Sequence, residues 1–251
     1  MIEKTVDPEL VEAELEIPIL DISHLITEDD TPVDNIYSEK QQRLLTEPLH
    51  TSWEGPPGED RDFVALANVG VFDNIARQAI VPDAMVSLHV HLPEELWEKN
   101  HRSYFIWEYG KPPDVVIEIV SNRKGEELGQ KQRRYARMAV TYYVVHDPQQ
   151  LLSNQTLHIF ERQRSTYVPL DKAWFPEIGL GLTLWRGEYE NLPGVWLRWC
   201  DEQGRVIPTG AELAEEERQK AEQERQRAER EKQRAERLVA QLRALGVDPE
   251  A

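Results

Sequence analysis

The chain has 251 residues, 40% of them hydrophobic and 30% charged, with a formal net charge of −17 at pH 7. This length supports one sizeable domain plus an appendage, and the acidic balance argues against a protein that coats nucleic acid non-specifically, though not against an enzyme with a local basic groove. Cys200 is the only cysteine, so no intrachain disulfide can form and a reducing cytoplasm fits; the acidic start MIEKTVDPEL lacks an apolar signal core, and no apolar run approaches the roughly 20 residues of a membrane span.

Residues 1–36 read as an acidic N-terminal arm with scattered aspartates and prolines. The main domain is expected over 37–208. Ser38-Glu39-Lys40-Gln41 has the form of a capping box, which predicts Ser38 as N-cap and a helix from Glu39 to about Leu49, bent near Pro48. SWEGPPGEDRD marks a loop, and ALANVGVF (65–72) predicts a short strand. Residues 80–92 alternate: Ile80, Ala84, Val86, Leu88, Val90 and Leu92 share one face, and Asp83, Met85, Ser87, His89 and His91 the other, which predicts a strand with one well-buried face. A short strand is expected at Tyr104–Trp107.

Residues 114–121 (DVVIEIVS) are apolar on both faces, as expected of a central strand. Glu126 to about Met138 has helical spacing, TYYVVHDP (141–148) reads as the next strand, and TLHIFER with STYVPL reads as a β-hairpin. Tryptophan-rich residues 173–208 close the domain. Beyond Pro208–Gly210 a seven-residue repeat begins, with Ala214, Ala221, Ala228, Ala235 and Leu242 at one heptad position. It predicts a long charged helix over 211–245, about 50 Å in length, with Glu216–Lys220 and Glu222–Arg225 among its ion pairs. One alanine per heptad is a thin seam, so both a solvated single helix and a weak coiled coil fit.

The chemistry centres on Glu118, a carboxylate inside an apolar strand, which is costly there unless paired or holding a cation. Asp83 on one strand, Glu118 on the next and Lys131 on the following helix form the set a metal-dependent nuclease needs. Two carboxylates hold Mg²⁺ or Mn²⁺ through hard oxygens, and the carbonyl of Ile119 is a candidate third ligand. The cation polarises the scissile phosphate and activates a water, and a lysine orients that water or offsets charge in the transition state. Arg123, Lys124, Lys131, Arg133, Arg134 and Arg137 place positive charge beside this acidic site. Each residue also has a plainer role open to it. Glu118 could be neutralised by a structural arginine, Asp83 could cap a strand, and Lys131 could be one solvated charge among many. Asp114 reads as a strand-start residue and Glu39 as a capping or surface residue. His89-x-His91 lacks a third ligand at zinc spacing.

VPD in one strand, PPDVVIEIVSN in the next, Lys131-x-x-x-Tyr135 on the helix and AVTYYVVHDP together resemble the Uma2 family, over roughly residues 37–200. The resemblance, to the cyanobacterial type with a charged C-terminal helix, implies an α/β fold. Its core would be a restriction endonuclease-like mixed β-sheet flanked by helices, of the PD-(D/E)XK class. It implies a metal-dependent DNA endonuclease with Asp83 and Glu118 as metal-binding acids and Lys131 as catalytic lysine. An E-x-K motif would put lysine at position 120, where this chain has Val120, so the resemblance implies a lysine displaced to the helix. The competing expectation is a catalytically inactive nuclease fold that presents its charged helix to partners. A homodimer is expected of an enzyme that cuts both strands.

Overall fold

The computed structural model describes residues 21–27, 35–56, 62–122 and 126–245. Most of the predicted N-terminal arm, together with Arg123 and Lys124, lies outside these. Within 21–27, Leu25 is buried against Phe72 and Phe105.

Helix α1 spans Ile36–Ser52. Its N-cap is Asn35 and not Ser38: the Asn35 side chain accepts the Ser38 N–H at 2.9 Å. Asparagine caps as well as serine does, and starting there draws Tyr37 into the helix, where it stacks on Trp196 at 5.1 Å. The helix runs through Pro48 to Ser52, further than the sequence predicts. Strands β1 (Phe63–Ala67) and β2 (Val71–Phe72) replace the single strand expected over 65–72; Asn68, left-handed at φ 55°, separates them.

β3 is Ala84–Leu88, shorter than the predicted 80–92, because His89 turns left-handed at φ 57°. All five residues are buried, since β3 lies between two other strands: Ala84, Val86 and Leu88 pack on one face and Met85 on the other. β4 is only Tyr104–Phe105, followed by the one-turn helix α2 at Ile106–Tyr109. β5 (Val115–Ile119) is fully buried. After it comes a wide turn, Glu127–Lys131, with non-helical backbone at Leu128 and Gly129, and then α3 (Gln132–Met138), so the helix expected from Glu126 is broken. β6 (Tyr142–His146) and the hairpin β7 (Leu157–Gln163) and β8 (Thr166–Pro169) fall where predicted. β9 (Trp174–Phe175), β10 (Leu180–Tyr189) and β11 (Leu192–Cys200) form a separate three-stranded sheet.

The six-stranded sheet has the order β1-β3-β5-β6-β7-β8. β5 and β6 are parallel and the other pairs antiparallel, so α3 is the crossover that a parallel pair requires. Alternation along β5 sorts its side chains. Val115, Ile117 and Ile119 join a core with Leu45, Leu49, Leu180, Leu197 and Trp199 from α1 and the smaller sheet. Val116, with Val120 just beyond the strand, joins Tyr135, Met138 and Tyr143 on the α3 side. The result is a mixed α/β sheet covered on both faces, as the sequence implies.

The long helix α4, Gly210–Ala244, follows. Thr209 and Glu212 cap it reciprocally: Glu212 N–H donates to Thr209 Oγ1 (3.1 Å) and Thr209 N–H to Glu212 Oε2 (2.7 Å). Buried Arg198 anchors the same glutamate through both terminal nitrogens at 2.7 and 2.6 Å. Further out the helix is solvated, with Leu238 and Leu245 exposed and the pairs Glu216–Lys220 and Glu222–Arg225 in place.

Candidate active site

The strand register brings the two predicted acids together. Ala84 is opposite Ile117 in the β3–β5 pair, so one step further Asp83 stands beside Glu118. Asp83 Oδ2 accepts the Ile119 N–H at 2.7 Å, and its Oδ1 accepts Nε2 of the buried Gln42 of α1 at 2.7 Å. Gln42 is in turn held by Asn68, whose Nδ2 donates to Gln42 Oε1 at 2.7 Å. This explains the turn after β1: Asn68 adopts the left-handed conformation that asparagine tolerates and fixes the residue that orients Asp83.

Glu118 is 1% exposed and points toward α3. Its Oε2 accepts Lys131 Nζ at 2.8 Å and its Oε1 the Tyr135 hydroxyl at 2.6 Å. Lys131 and Tyr135 are four residues apart, so both meet the same strand. Burial pushes the Glu118 carboxyl up to about 7; Lys131 opposes that rise and the charge of Asp83 adds to it. Burial alone would lower the Lys131 ammonium, but the charge and hydrogen bond of Glu118, with Glu127 and Asp83, outweigh it and hold the pKa above its ordinary value. Lys131 is therefore cationic at neutral pH.

Val120, where an E-x-K motif has lysine, is 2% exposed and packed in the α3-side cluster. A lysine there would have to draw its ammonium out of an apolar core. Lys131 approaches Glu118 from above instead, with about a third of its side chain exposed.

Sequence reasoning missed Gln42 and Glu127. Nothing in the spacing of α1 marks Gln42. Glu127 had a signal: it precedes Lys131 by four residues, as Lys131 precedes Tyr135. Its carboxylate is buried, with Oε1 3.6 Å from Lys131 Nζ and Oε2 without a hydrogen-bond partner among the described residues.

The other candidates lie elsewhere. Asp114 accepts the Leu88 N–H at 2.8 Å and Lys111 Nζ at 2.5 Å, tying the start of β5 to the end of β3. Glu39 pairs with Arg43 on the surface. Arg134 donates to the carbonyls of Gln78 and Ala79, a structural role, while Arg133 and Arg137 are exposed. His91 pairs with Asp62 at 3.2 Å. An open groove of about 650 Å³ at the base of α4 is lined by Glu188, Glu190, Glu212, Glu215 and Glu216. It shares no residue with the Glu118 site, and four of its five acids are ion-paired, to Lys40, Arg43, Arg198, Arg218 or Lys220. At Glu118 burial and charge are both unusual.

Among the described residues no group of three His, Cys, Asp or Glu side chains is arranged to hold a metal ion. Asp83 and Glu118 nevertheless suit a hard divalent cation: they are oxygen donors, and with Glu127 they set three acids around the ammonium of Lys131. One of their buried oxygens, Glu127 Oε2, has no hydrogen-bond partner among the described residues. A cation here would complete its shell with backbone or water oxygens.

Residues 29–184 match the Uma2 family, described as "Putative restriction endonuclease", over more than half of the chain. The chain belongs to the Uma2 family. The match begins before the 37–200 region that carries the sequence resemblance and stops short of its end. It takes in Asp83, Glu118 and Lys131 and leaves out α4. No curated protein matches the chain, and no solved structure does. Uma2 membership connects the chain to a restriction endonuclease-like nuclease family. Among the described residues no helix is long and apolar enough to cross a membrane.

Proposed function

We propose that the protein is a Mg²⁺- or Mn²⁺-dependent endonuclease that hydrolyses phosphodiester bonds in DNA. The observation that carries this reading is Glu118, 1% exposed, beside Asp83 and bonded to Lys131. Asp83 and Glu118 would hold the cation, Asp83 aimed by Gln42 and the Ile119 N–H and Glu118 by Tyr135. The cation would supply Lewis-acid polarisation of the phosphate and a nucleophilic water at neutral pH. Lys131 sets a positive charge where the transition state gains negative charge, and the exposed Arg133 and Arg137 would hold the phosphate backbone. The catalytic domain would occupy 37–208, with 211–245 as a separate helical appendage and 1–36 as an acidic arm, and the lone Cys200 suits the cytoplasm.

Purified protein is expected to nick supercoiled plasmid with Mg²⁺ or Mn²⁺ and not with EDTA. Glu118→Ala should abolish the activity, and Lys131→Ala should lower it by roughly 10²–10³, the usual cost of losing one transition-state donor. A Glu118→Ala variant as active as wild type would sink the proposal. A wild type that fails to nick with either cation would favour an inactive nuclease fold acting through α4, a reading supported by the saturation of both Glu118 oxygens by protein partners.

The appendage also suggests how two copies would pair. Residues 212–224 carry six acids and two bases, and 225–243 carry three acids and seven bases. Two antiparallel copies of α4 would set the acidic half of each against the basic half of the other, with the alanine positions between them. Light scattering at low salt should report a homodimer that dissociates as salt screens the pairing, and Arg225→Glu/Arg227→Glu/Arg230→Glu/Arg234→Glu should report a monomer at any salt.

A further inference from the structure

With Lys131 Nζ 2.8 Å from Glu118 Oε2, a divalent cation taking that oxygen would meet the positive charge of the ammonium at close range. The ammonium needs a second position. Glu127 provides one: it is four residues earlier in the chain, its Oε1 already 3.6 Å from Nζ, its side chain 5% exposed and its Oε2 buried without a partner among the described residues. A buried carboxylate oxygen left unpaired is costly, so the site is one hydrogen bond short in the arrangement observed. Moving the ammonium from Glu118 to Glu127 would supply that bond and free the Glu118 oxygen in one step. The backbone is built to hold Glu127 there: the Tyr143 hydroxyl donates to the Glu127 carbonyl at 2.9 Å, and the wide turn of 127–131 sets the carboxylate beside the ammonium.

We infer that Glu127 is a positioning residue, the acceptor to which Lys131 transfers when a divalent cation takes Glu118. This rests on the metal reading above. It goes further, because it gives Lys131 two positions and couples cation binding to placement of the lysine.

The test is a Mn²⁺ titration of thermal stability, which reads the ion through linkage and requires no turnover. Glu127→Gln should weaken Mn²⁺ binding by about 10-fold or more, as loss of a residue that supports a ligand set does, because the lysine then stays on Glu118. The midpoint in EDTA should hold or rise, since an unpaired buried carboxylate has been removed; a merely structural role would lower it. Glu127→Asp should recover part of the affinity. In a Lys131→Met background Glu127→Gln should have no effect on Mn²⁺ affinity, since no ammonium remains to be moved. An equal loss in that background would show Glu127 acting on the ion directly and would overturn the inference, as would wild-type affinity in Glu127→Gln. Absence of any Mn²⁺ response in the wild type would overturn the metal reading and this inference together, so the two failures are distinguishable.

Discussion

Lys131→Met is expected to lower stability at pH 8 and to leave it nearly unchanged at pH 5, while Glu118→Gln is expected to raise it at pH 8. The contrast follows from which end of the pair is buried. Glu118 is 1% exposed and Lys131 about a third exposed, so removing the lysine strands a charge in the core, whereas removing the acid leaves an ammonium that reaches water and Glu127. Breaking a buried pair costs about 3–5 kcal/mol, and the exposure of Lys131 reduces this to about 2 kcal/mol, a drop of about 5 °C in the midpoint of a chain this size. The sign with pH comes from Glu118, whose pKa is raised from 4.5 to about 7 in the folded state, chiefly by burial. The folded chain binds the proton more tightly than the unfolded one. Its contribution to stability is complete below 4.5 and is lost as pH climbs through 7. At pH 5 the carboxyl is protonated and Lys131 has little charge to neutralise, so its removal costs little. Glu118→Gln mimics the protonated form and keeps stability flat across that window. Urea melts in EDTA at pH 5 and pH 8 check both signs. A Lys131→Met penalty of equal size at the two pH values would mean that Glu118 stays ionised throughout.

The same asymmetry shows what sequence can and cannot reveal about such a site. Glu118 was legible because a lone acid in VVIEIV breaks an apolar run, and β5 was legible as central because both its faces are apolar. Asp83 was legible as a partner only through the strand order, and the register Ala84–Ile117 then supplied the adjacency. The bounds of β3 were not legible: the alternation of 80–92 continues past Leu88, but His89 leaves the strand through a backbone rotation that alternation does not encode. The cap of α1 was misread because Asn35 and Ser38 are equally good caps, and the choice fell to Tyr37, whose stacking on Trp196 is a contact across more than 150 residues. Gln42 is invisible for the same reason, since its role exists only once α1 is docked against β3. Glu127 was legible in principle from its spacing to Lys131 and Tyr135, but it sits in a turn whose width departs from the helix the pattern predicts.

Acid should expose a second buried titratable group, His146, on the opposite face of the sheet from Glu118. It is fully buried, with Nε2 2.9 Å from the Tyr37 hydroxyl. Burial lowers its pKa from 6.5 to about 4, against smaller opposing contributions from the Thr156 backbone bond and Asp147. The unfolded chain therefore binds this proton more readily than the folded one. The stability it contributes is present above 6.5 and is lost as pH falls through 4. A change of that size corresponds to about 3 kcal/mol, at most 1.36 kcal/mol per pH unit, which is a large part of the roughly 5–15 kcal/mol that holds a domain folded. His146→Gln keeps a neutral polar group beside Tyr37 and removes the titration. It is expected to be less stable than wild type at pH 7.5, by about 1 kcal/mol for imperfect packing and bonding, and to close that gap as pH falls, overtaking wild type before pH 4. The difference between the two urea-melt curves isolates His146, because the carboxylates titrate alike in both. Parallel curves between pH 6.5 and 4 would show that His146 is not held neutral. The chemistry proposed at Glu118 would survive that result, since Tyr37, Trp196 and His146 pack on the α1 side of the sheet while Lys131 and Tyr135 close over Glu118 from α3. Acid lability and the proposed metal chemistry are thus separable, and a variant that changes one without the other would identify which face of β5 and β6 it acts on.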